Sequence, residues 1–283
     1  MSDPRYKSGA GEHAVLALYD RLLTHWPVPH EFVTIPTRHG NTTMIASGEP
    51  TAPPLLLLHG SCSNSLSWMG DVQSYSRHFR VYTVDLPGEP GKSSPDRPPF
   101  TGPAYAEWLT DLLDGLKAPQ VHLLGLSMGG YIALKFATHH PDRVSRLVLL
   151  APGGVVNARL FWLLRVIFLS NFGRRGAEAI NRITFGETKV DPEAIAFMNL
   201  VMTHFRARFD PQPLFTDDEL KRLTMPTLLI AGTRDAILPS EKIAARLQRL
   251  VPNLTARLLQ DAGHVLVNLT DQINPFLLEP AKA

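Results

Sequence analysis

The chain has 283 residues, 28 of them basic and 26 acidic, a formal net charge of +2, with 44% hydrophobic and 19% charged side chains. That balance gives no case for nucleic acid or an anionic membrane as a partner, and the length suits one domain with an insertion better than two independent domains. A single cysteine, Cys62, excludes an intramolecular disulfide and fits a reducing compartment, so a cytoplasmic setting is expected.

Met1 to Lys7 lacks the apolar centre of a signal peptide. Gly9 to Trp26 carries Val15, Leu16, Leu18, Tyr19, Leu22 and Leu23 at helical intervals and reads as an amphipathic helix ended by Pro27 and Pro29. Glu31 to Pro36 and Thr42 to Ser47 read as two strands around an Arg38-His39-Gly40-Asn41 turn. Leu55 to Leu58 is a run of leucines suited to a strand buried on both faces. It ends in His59-Gly60-Ser61-Cys62, where a glycine lets the backbone turn its N–H groups inward. A helix is expected over Trp68 to His78, then a strand from Arg80 to Asp85. The loop Leu86-Pro87-Gly88-Glu89-Pro90-Gly91-Lys92-Ser93 follows. Its Gly-Lys-Ser lacks the spacing and the strand-to-helix context of a phosphate loop.

Tyr105 to Leu116 places Trp108, Leu109, Leu112, Leu113 and Leu116 on one helical face. Val121 to Leu124 is a buried strand running into Gly125-Leu126-Ser127-Met128-Gly129-Gly130, and helical spacing resumes from Met128 to Thr138. His139-His140 before Pro141 reads as a helix end, not a ligand pair, and no metal-ligand spacing or internal repeat is present. Arg146 to Leu150 is a further buried strand. Strands and helices thus alternate as they do in a parallel sheet covered on both faces.

The alternation breaks between Gly153 and Phe215, where helical patterns lie near 158–169, 174–183 and 192–208. An inserted helical cap over residues 154–215 is expected, with the core formed by 1–153 and 216–283. The most apolar run, Leu160 to Leu169, is about half a membrane span and contains Arg165, so it reads as a cap or core helix and no stable membrane association is expected. Thr216 to Glu219 has capping-box spacing. Pro226 to Gly232 is a strand, Ser240 to Leu250 a helix and Leu254 to Leu259 the last strand. A short helix broken by Pro275 ends the pattern.

Ser127 between Gly125 and Gly129, at a strand-to-helix junction, fits a tight turn that lifts a hydroxyl clear of the sheet edge. The Met128 N–H then lies at a helix N-terminus, where negative charge is stabilised. A serine hydroxyl needs a base, and that base needs an orienting carboxylate. His264, just past the last strand, and Asp235, just past the strand before it, supply them in the order Ser…Asp…His. The Ser61 N–H is the candidate second oxyanion donor beside Met128. Three other groups read as structural: His59 as a loop-shaping residue, Asp85 as a strand-end acid and Asp261 as a turn residue. Position 151–154, Ala-Pro-Gly-Gly, carries no carboxylate.

These stretches resemble the α/β-hydrolases over nearly the whole chain. More closely, they are similar to bacterial carboxylesterases that combine a His-Gly loop, an Asp-x-x-Gly-Glu/Asp loop and a Gly-Leu-Ser-x-Gly-Gly elbow. The resemblance implies a mostly parallel eight-stranded sheet with helices on both faces and an inserted helical cap. It also implies serine-dependent cleavage of a small-molecule carboxylic ester through an acyl-enzyme, with no cofactor and no nucleic-acid partner. Many members of the superfamily have Asp-x-x-Gly-x-Gly-x-Ser, and Pro90 is an extra residue against that pattern. Lactone, thioester or carbon–carbon bond hydrolysis and acyl transfer share the same triad. A binding protein with an idle triad is the reading from another class. Oligomeric state and substrate contacts are left open.

Overall fold

A computed structural model describes residues 3–186 and 191–280. Helix α1 (Gly9–Leu23) is capped by Ser8, whose side chain accepts the Gly11 N–H, and turns Val15, Tyr19, Leu22 and Leu23 inward. Strands β1 (His30–Thr37) and β2 (Gly40–Ser47) form an antiparallel hairpin with Thr37 opposite Gly40, so Arg38 and His39 make the turn. Then come β3 (Pro54–Leu58), α2 (Val72–Tyr75), β4 (Arg80–Val84), α3 (Ala104–Gly115), β5 (Val121–Leu126), α4 (Met128–His139) and β6 (Val144–Leu150). Three helices follow, with no strand among the described residues between them: α5 (Leu160–Leu169), α6 (Gly173–Phe185) and α7 (Pro192–His204). The chain continues through α8 (Asp217–Leu220), β7 (Thr227–Gly232), α9 (Ser240–Leu250), β8 (Leu254–Leu259) and α10 (Thr270–Leu278).

The eight strands form one sheet in the order β1-β2-β4-β3-β5-β6-β7-β8. The β1–β2 and β2–β4 pairs are antiparallel and every other pair is parallel. The leucine run of β3 shows why the centre reads as continuous hydrophobic sequence. Leu56 and Leu58 face a core with Trp108, Ile132 and Phe136, while Leu55 and Leu57 face the opposite core with Tyr19, Tyr75 and Ile273. Because the central strands are parallel, the loops after β3, β4, β5, β7 and β8 leave from one edge of the sheet. In open parallel sheets that edge is where ligands bind.

Two expected elements differ. The helix expected over Trp68 to His78 is a 3₁₀ turn, Ser65–Trp68, and the single turn of α2. Asn64 starts the first turn early by accepting the Leu66 N–H, and Gly70 separates the two. At the other end, α10 runs through Pro275 instead of breaking there. Pro275 is exposed to solvent, on the face of α10 away from the core. Burial of Ile273, Phe276 and Leu277 carries the helix onward.

Asp85, at the end of β4, ties this edge together. It is 1% exposed and accepts hydrogen bonds from the Tyr19 hydroxyl (3.0 Å), the Ser65 N–H (2.9 Å) and hydroxyl (2.7 Å), and the Lys92 N–H (2.8 Å). One carboxylate thereby joins α1, the loop after β3 and the loop after β4. Asp85→Ala strands several of these donors and is expected to destabilise the fold by about 2–4 kcal/mol. Urea unfolding measures this, and a loss below about 0.5 kcal/mol would contradict the joining role.

Candidate active site

Ser127 stands between β5 and α4 with φ 52° and ψ −108°, a conformation that side chains with a Cβ rarely adopt. Three backbone hydrogen bonds hold it: its N–H donates to the Leu150 carbonyl (2.9 Å), and its own carbonyl accepts the Tyr131 (2.9 Å) and Gly153 (3.1 Å) N–H groups. The flanking glycines are needed for close approach. A Cβ on Gly125 would lie 2.3 Å from the Gly129 carbonyl oxygen, and one on Gly129 would lie 2.2 Å from the Leu58 oxygen. The elbow is thus pressed against the end of β3.

The Ser127 hydroxyl reaches His264 Nε2 at 2.9 Å, and His264 Nδ1 reaches Asp235 Oδ2 at 2.7 Å. His264 and Asp235 are both buried. Asp235 is fixed by its other oxygen, which accepts the Ile237 (2.7 Å) and Leu238 (2.9 Å) N–H groups. That tight local turn aims Oδ2 at the imidazole. The loops bearing the acid and the histidine are stitched together by Arg234 N–H to the Ala262 carbonyl (2.9 Å). Asp261 takes a left-handed turn conformation (φ 62°) and pairs with Arg234, while the imidazole nitrogens bond to Asp235 and Ser127.

Ser61 follows Gly60, where a Cβ would come 3.6 Å from the Ser127 Cβ. The Ser61 hydroxyl contacts the Met128 sulfur at 3.4 Å, so the two expected oxyanion donors belong to touching residues. Met128 opens α4, where an N–H has no acceptor within its own helix. His59 is fully buried, with Nε2 accepting the Leu86 N–H (3.0 Å) and Nδ1 against the Gly60 carbonyl (2.7 Å). Burial pushes its pKa down to about 4, so it is a neutral strut between two loops.

A cavity of about 1220 Å³ opens onto Ser127 and His264. Trp162 and Val166 of α5, Ile180 of α6, and Phe197 and Met198 of α7 line it. Leu22 of α1 also reaches it, a placement that its sequence pattern did not disclose. Tyr19 meets the Phe197 ring (centroids 6.3 Å apart), and Gly11 leaves space for His204: a Cβ there would lie 2.8 Å from its ring nitrogen. The small residue in an otherwise ordinary helix was the available signal for that packing.

Sequence reasoning also passed over Glu89. Its side chain, 2% exposed, accepts the Cys62 N–H at 2.6 Å, next to Ser61, and so holds the loop after β3 from the loop after β4. Cys62 itself sits at φ 55°. Burial raises the Glu89 pKa from 4.5 to about 7 against the opposing pull of Arg97, Arg208 and Arg5. Between those values the folded chain keeps a proton that the unfolded chain has released. Stability therefore falls as pH rises through about 4.5 to 7. Glu89→Gln keeps an acceptor for Cys62 and removes the charge. It is expected to flatten this pH dependence and to be the more stable form at high pH by on the order of 1–3 kcal/mol. Urea unfolding across that pH range tests it, and a variant as pH-sensitive as the wild type would contradict the assignment.

Comparison with known proteins agrees with this architecture. Residues 53–267 match the family model for the alpha/beta hydrolase fold. Carboxylesterase YbfK of Bacillus subtilis is 33% identical over 88% of this chain and 86% of its own length, and its crystal structure superposes with a TM-score of 0.88 over 96% of this chain and all of that one. The uncharacterized carboxylesterase nap of the same organism is also 33% identical, over 88% of this chain and 85% of its own. The crystal structure of the Bacillus subtilis naproxen esterase (carboxylesterase NP) is 28% identical, with a TM-score of 0.84 over 93% of this chain and 96% of that one. With the sheet order, the strained serine turn and the match across most of the chain, this protein belongs to the alpha/beta hydrolase fold family.

Proposed function

We propose that this protein is a serine carboxylesterase in which Ser127 is the nucleophile, His264 the general base and Asp235 the group that orients the imidazole. The observation that carries this is the hydrogen-bond chain from Ser127 Oγ to His264 Nε2 (2.9 Å) and from His264 Nδ1 to Asp235 (2.7 Å). Relatives named as carboxylesterases support the choice of an ester as substrate.

Ser127 Oγ attacks the ester carbonyl while His264 Nε2 takes its proton. Asp235 holds the proton on Nδ1 and stabilises the imidazolium that forms. The N–H groups of Ser61 and Met128 receive the oxyanion, aided by the N-terminal end of α4. His264 returns the proton to the departing alcohol, leaving an acyl-Ser127. Water, deprotonated by His264, then attacks the acyl carbonyl and releases the acid. Residues 154–215 act as a cap over a core of 1–153 and 216–283. The apolar wall of α5, α6 and α7 favours an acyl or aryl group of modest polarity. The single cysteine supports a cytoplasmic setting for the reaction.

Hydrolysis of a p-nitrophenyl ester series, read beside variants, tests the proposal. Ser127→Ala and His264→Ala are expected to lose on the order of 10⁶ in kcat and Asp235→Asn about 10⁴, by analogy with other serine triads. Unaltered turnover in Ser127→Ala would overturn the nucleophile. A wild type that neither turns over esters nor reacts with a fluorophosphonate would overturn the enzyme reading in favour of ligand binding.

A further inference from the structure

Helix α5, Leu-Phe-Trp-Leu-Leu-Arg-Val-Ile-Phe-Leu, is apolar on two opposite faces. At roughly 100° per residue, Trp162 and Val166 fall on one side, and they line the cavity. Leu160, Phe161, Leu164 and Phe168 fall on the other, and they are 57–75% exposed, with Phe172 just beyond at 55%. Large side chains concentrated on one exposed helical face mark an interaction surface.

Charge identifies the kind of partner. From Gly154 to Ala177 the sequence contains Arg159, Arg165, Arg174 and Arg175 and no acidic residue, and all four arginines are exposed. Glu178, at the next position, pairs with Arg174. The whole-chain charge of +2 averages this basic segment away. A second copy meeting the same face about a two-fold axis would set these arginines near their own copies, with like charges opposed. A surface with apolar depth and negative headgroups complements both features. Among the described residues no helix is long and apolar enough to cross a membrane. The ten residues of α5 extend about 15 Å, which suits a helix lying in the interface plane.

We propose that the outer face of α5 docks this protein reversibly on an anionic phospholipid surface, with Phe161, Leu164 and Phe168 entering the apolar layer and Arg159, Arg165, Arg174 and Arg175 meeting the headgroups. This goes beyond ester hydrolysis and does not depend on it. The helix that walls the cavity on its inner side then meets the lipid on its outer side.

Flotation of the intact protein with phosphatidylglycerol vesicles and, in parallel, phosphatidylcholine vesicles tests the docking. The wild type is expected to float with phosphatidylglycerol, to bind phosphatidylcholine much more weakly, and to detach at about 0.5 M salt. Phe161→Ser/Phe168→Ser, both exposed and outside the cavity wall, is expected to lose binding by about tenfold or more. Its thermal unfolding and its labelling of Ser127 by a fluorophosphonate should be unchanged. Arg165→Glu should weaken binding to phosphatidylglycerol only. Failure of the wild type to float with phosphatidylglycerol, or equal flotation of the double variant, overturns the proposal. So does a dimer in sedimentation velocity that the double variant dissolves, which would assign the face to a second copy. The vesicle result stands whether or not esters are hydrolysed, so the two proposals fail separately.

Discussion

The close approach of Gly129 to the end of β3 is the constraint on which the rest of the site depends. With 2.2 Å between a hypothetical Cβ and the Leu58 carbonyl oxygen, only glycine lets α4 begin where it does. Ser127 is consequently folded into a backbone conformation that costs roughly 1–3 kcal/mol for a residue with a Cβ. That cost is offset by its hydrogen bonds to Leu150, Tyr131 and Gly153, and by the fully buried residues of α4 behind it. The same contact brings the loop after β3 alongside the first turn of α4. The strained serine turn and the contact between Ser61 and Met128 are therefore two results of one packing event.

Around that contact, buried polar side chains work as joints between loops. Asp85 joins the loops after β3 and β4 to α1, His59 joins the first two again from the other side, and Glu89 holds Cys62 beside Ser61. Each sits where an unpaired polar group would be costly, so each loop position is specified by its partner. The consequence is pre-organisation: the loop carrying Ser61 and the first turn of α4 are held in place by the fold, as the proposed mechanism requires. Lys92 and Ser93, which carry a superficial likeness to a phosphate loop, serve the same joints. The Lys92 N–H and the Ser93 hydroxyl both bond to Asp85, and the Lys92 amine pairs with Asp20.

Local chemistry explains how much of this was legible in sequence. A run such as Leu55 to Leu58 admits few structures, because four consecutive leucines need cover on both sides. A Gly-x-Ser-x-Gly turn announces itself through the residues it forbids. The Thr216–Glu219 capping box forms as its spacing implied, with the Thr216 side chain accepting the Glu219 N–H and the Glu219 carboxylate accepting the Thr216 N–H. Boundaries failed where two weak signals competed. Asn64 and Gly70 together shortened a helix that periodicity alone extended from Trp68 to His78. Pro275 was over-read as a break, because exposure of the proline and burial of its neighbours are tertiary facts. Glu89 was invisible for a related reason. A glutamate in a Gly- and Pro-rich loop looks solvated until the fold closes over it.

The cavity is the part least written in local pattern, and this follows from how it is made. Its end at Ser127 and His264 is built from loops that leave one edge of a regular sheet, and each loop has a sequence signature tied to backbone geometry. Its far walls come from α5, α6 and α7, together with α1 from the opposite end of the chain. Those helices meet through contacts such as Tyr19 with Phe197 and the space Gly11 leaves for His204, which no short window of sequence encodes. Apolar helices can wall a pocket in many arrangements without disturbing the sheet beneath. Core packing constrains the sheet, whereas α5, α6 and α7 need only stay apolar toward the cavity. The cavity lining at Trp162, Ile180 or Met198 is therefore free to vary, while Gly129, Asp85 and His59 are held by the geometry that forms the Ser127 turn.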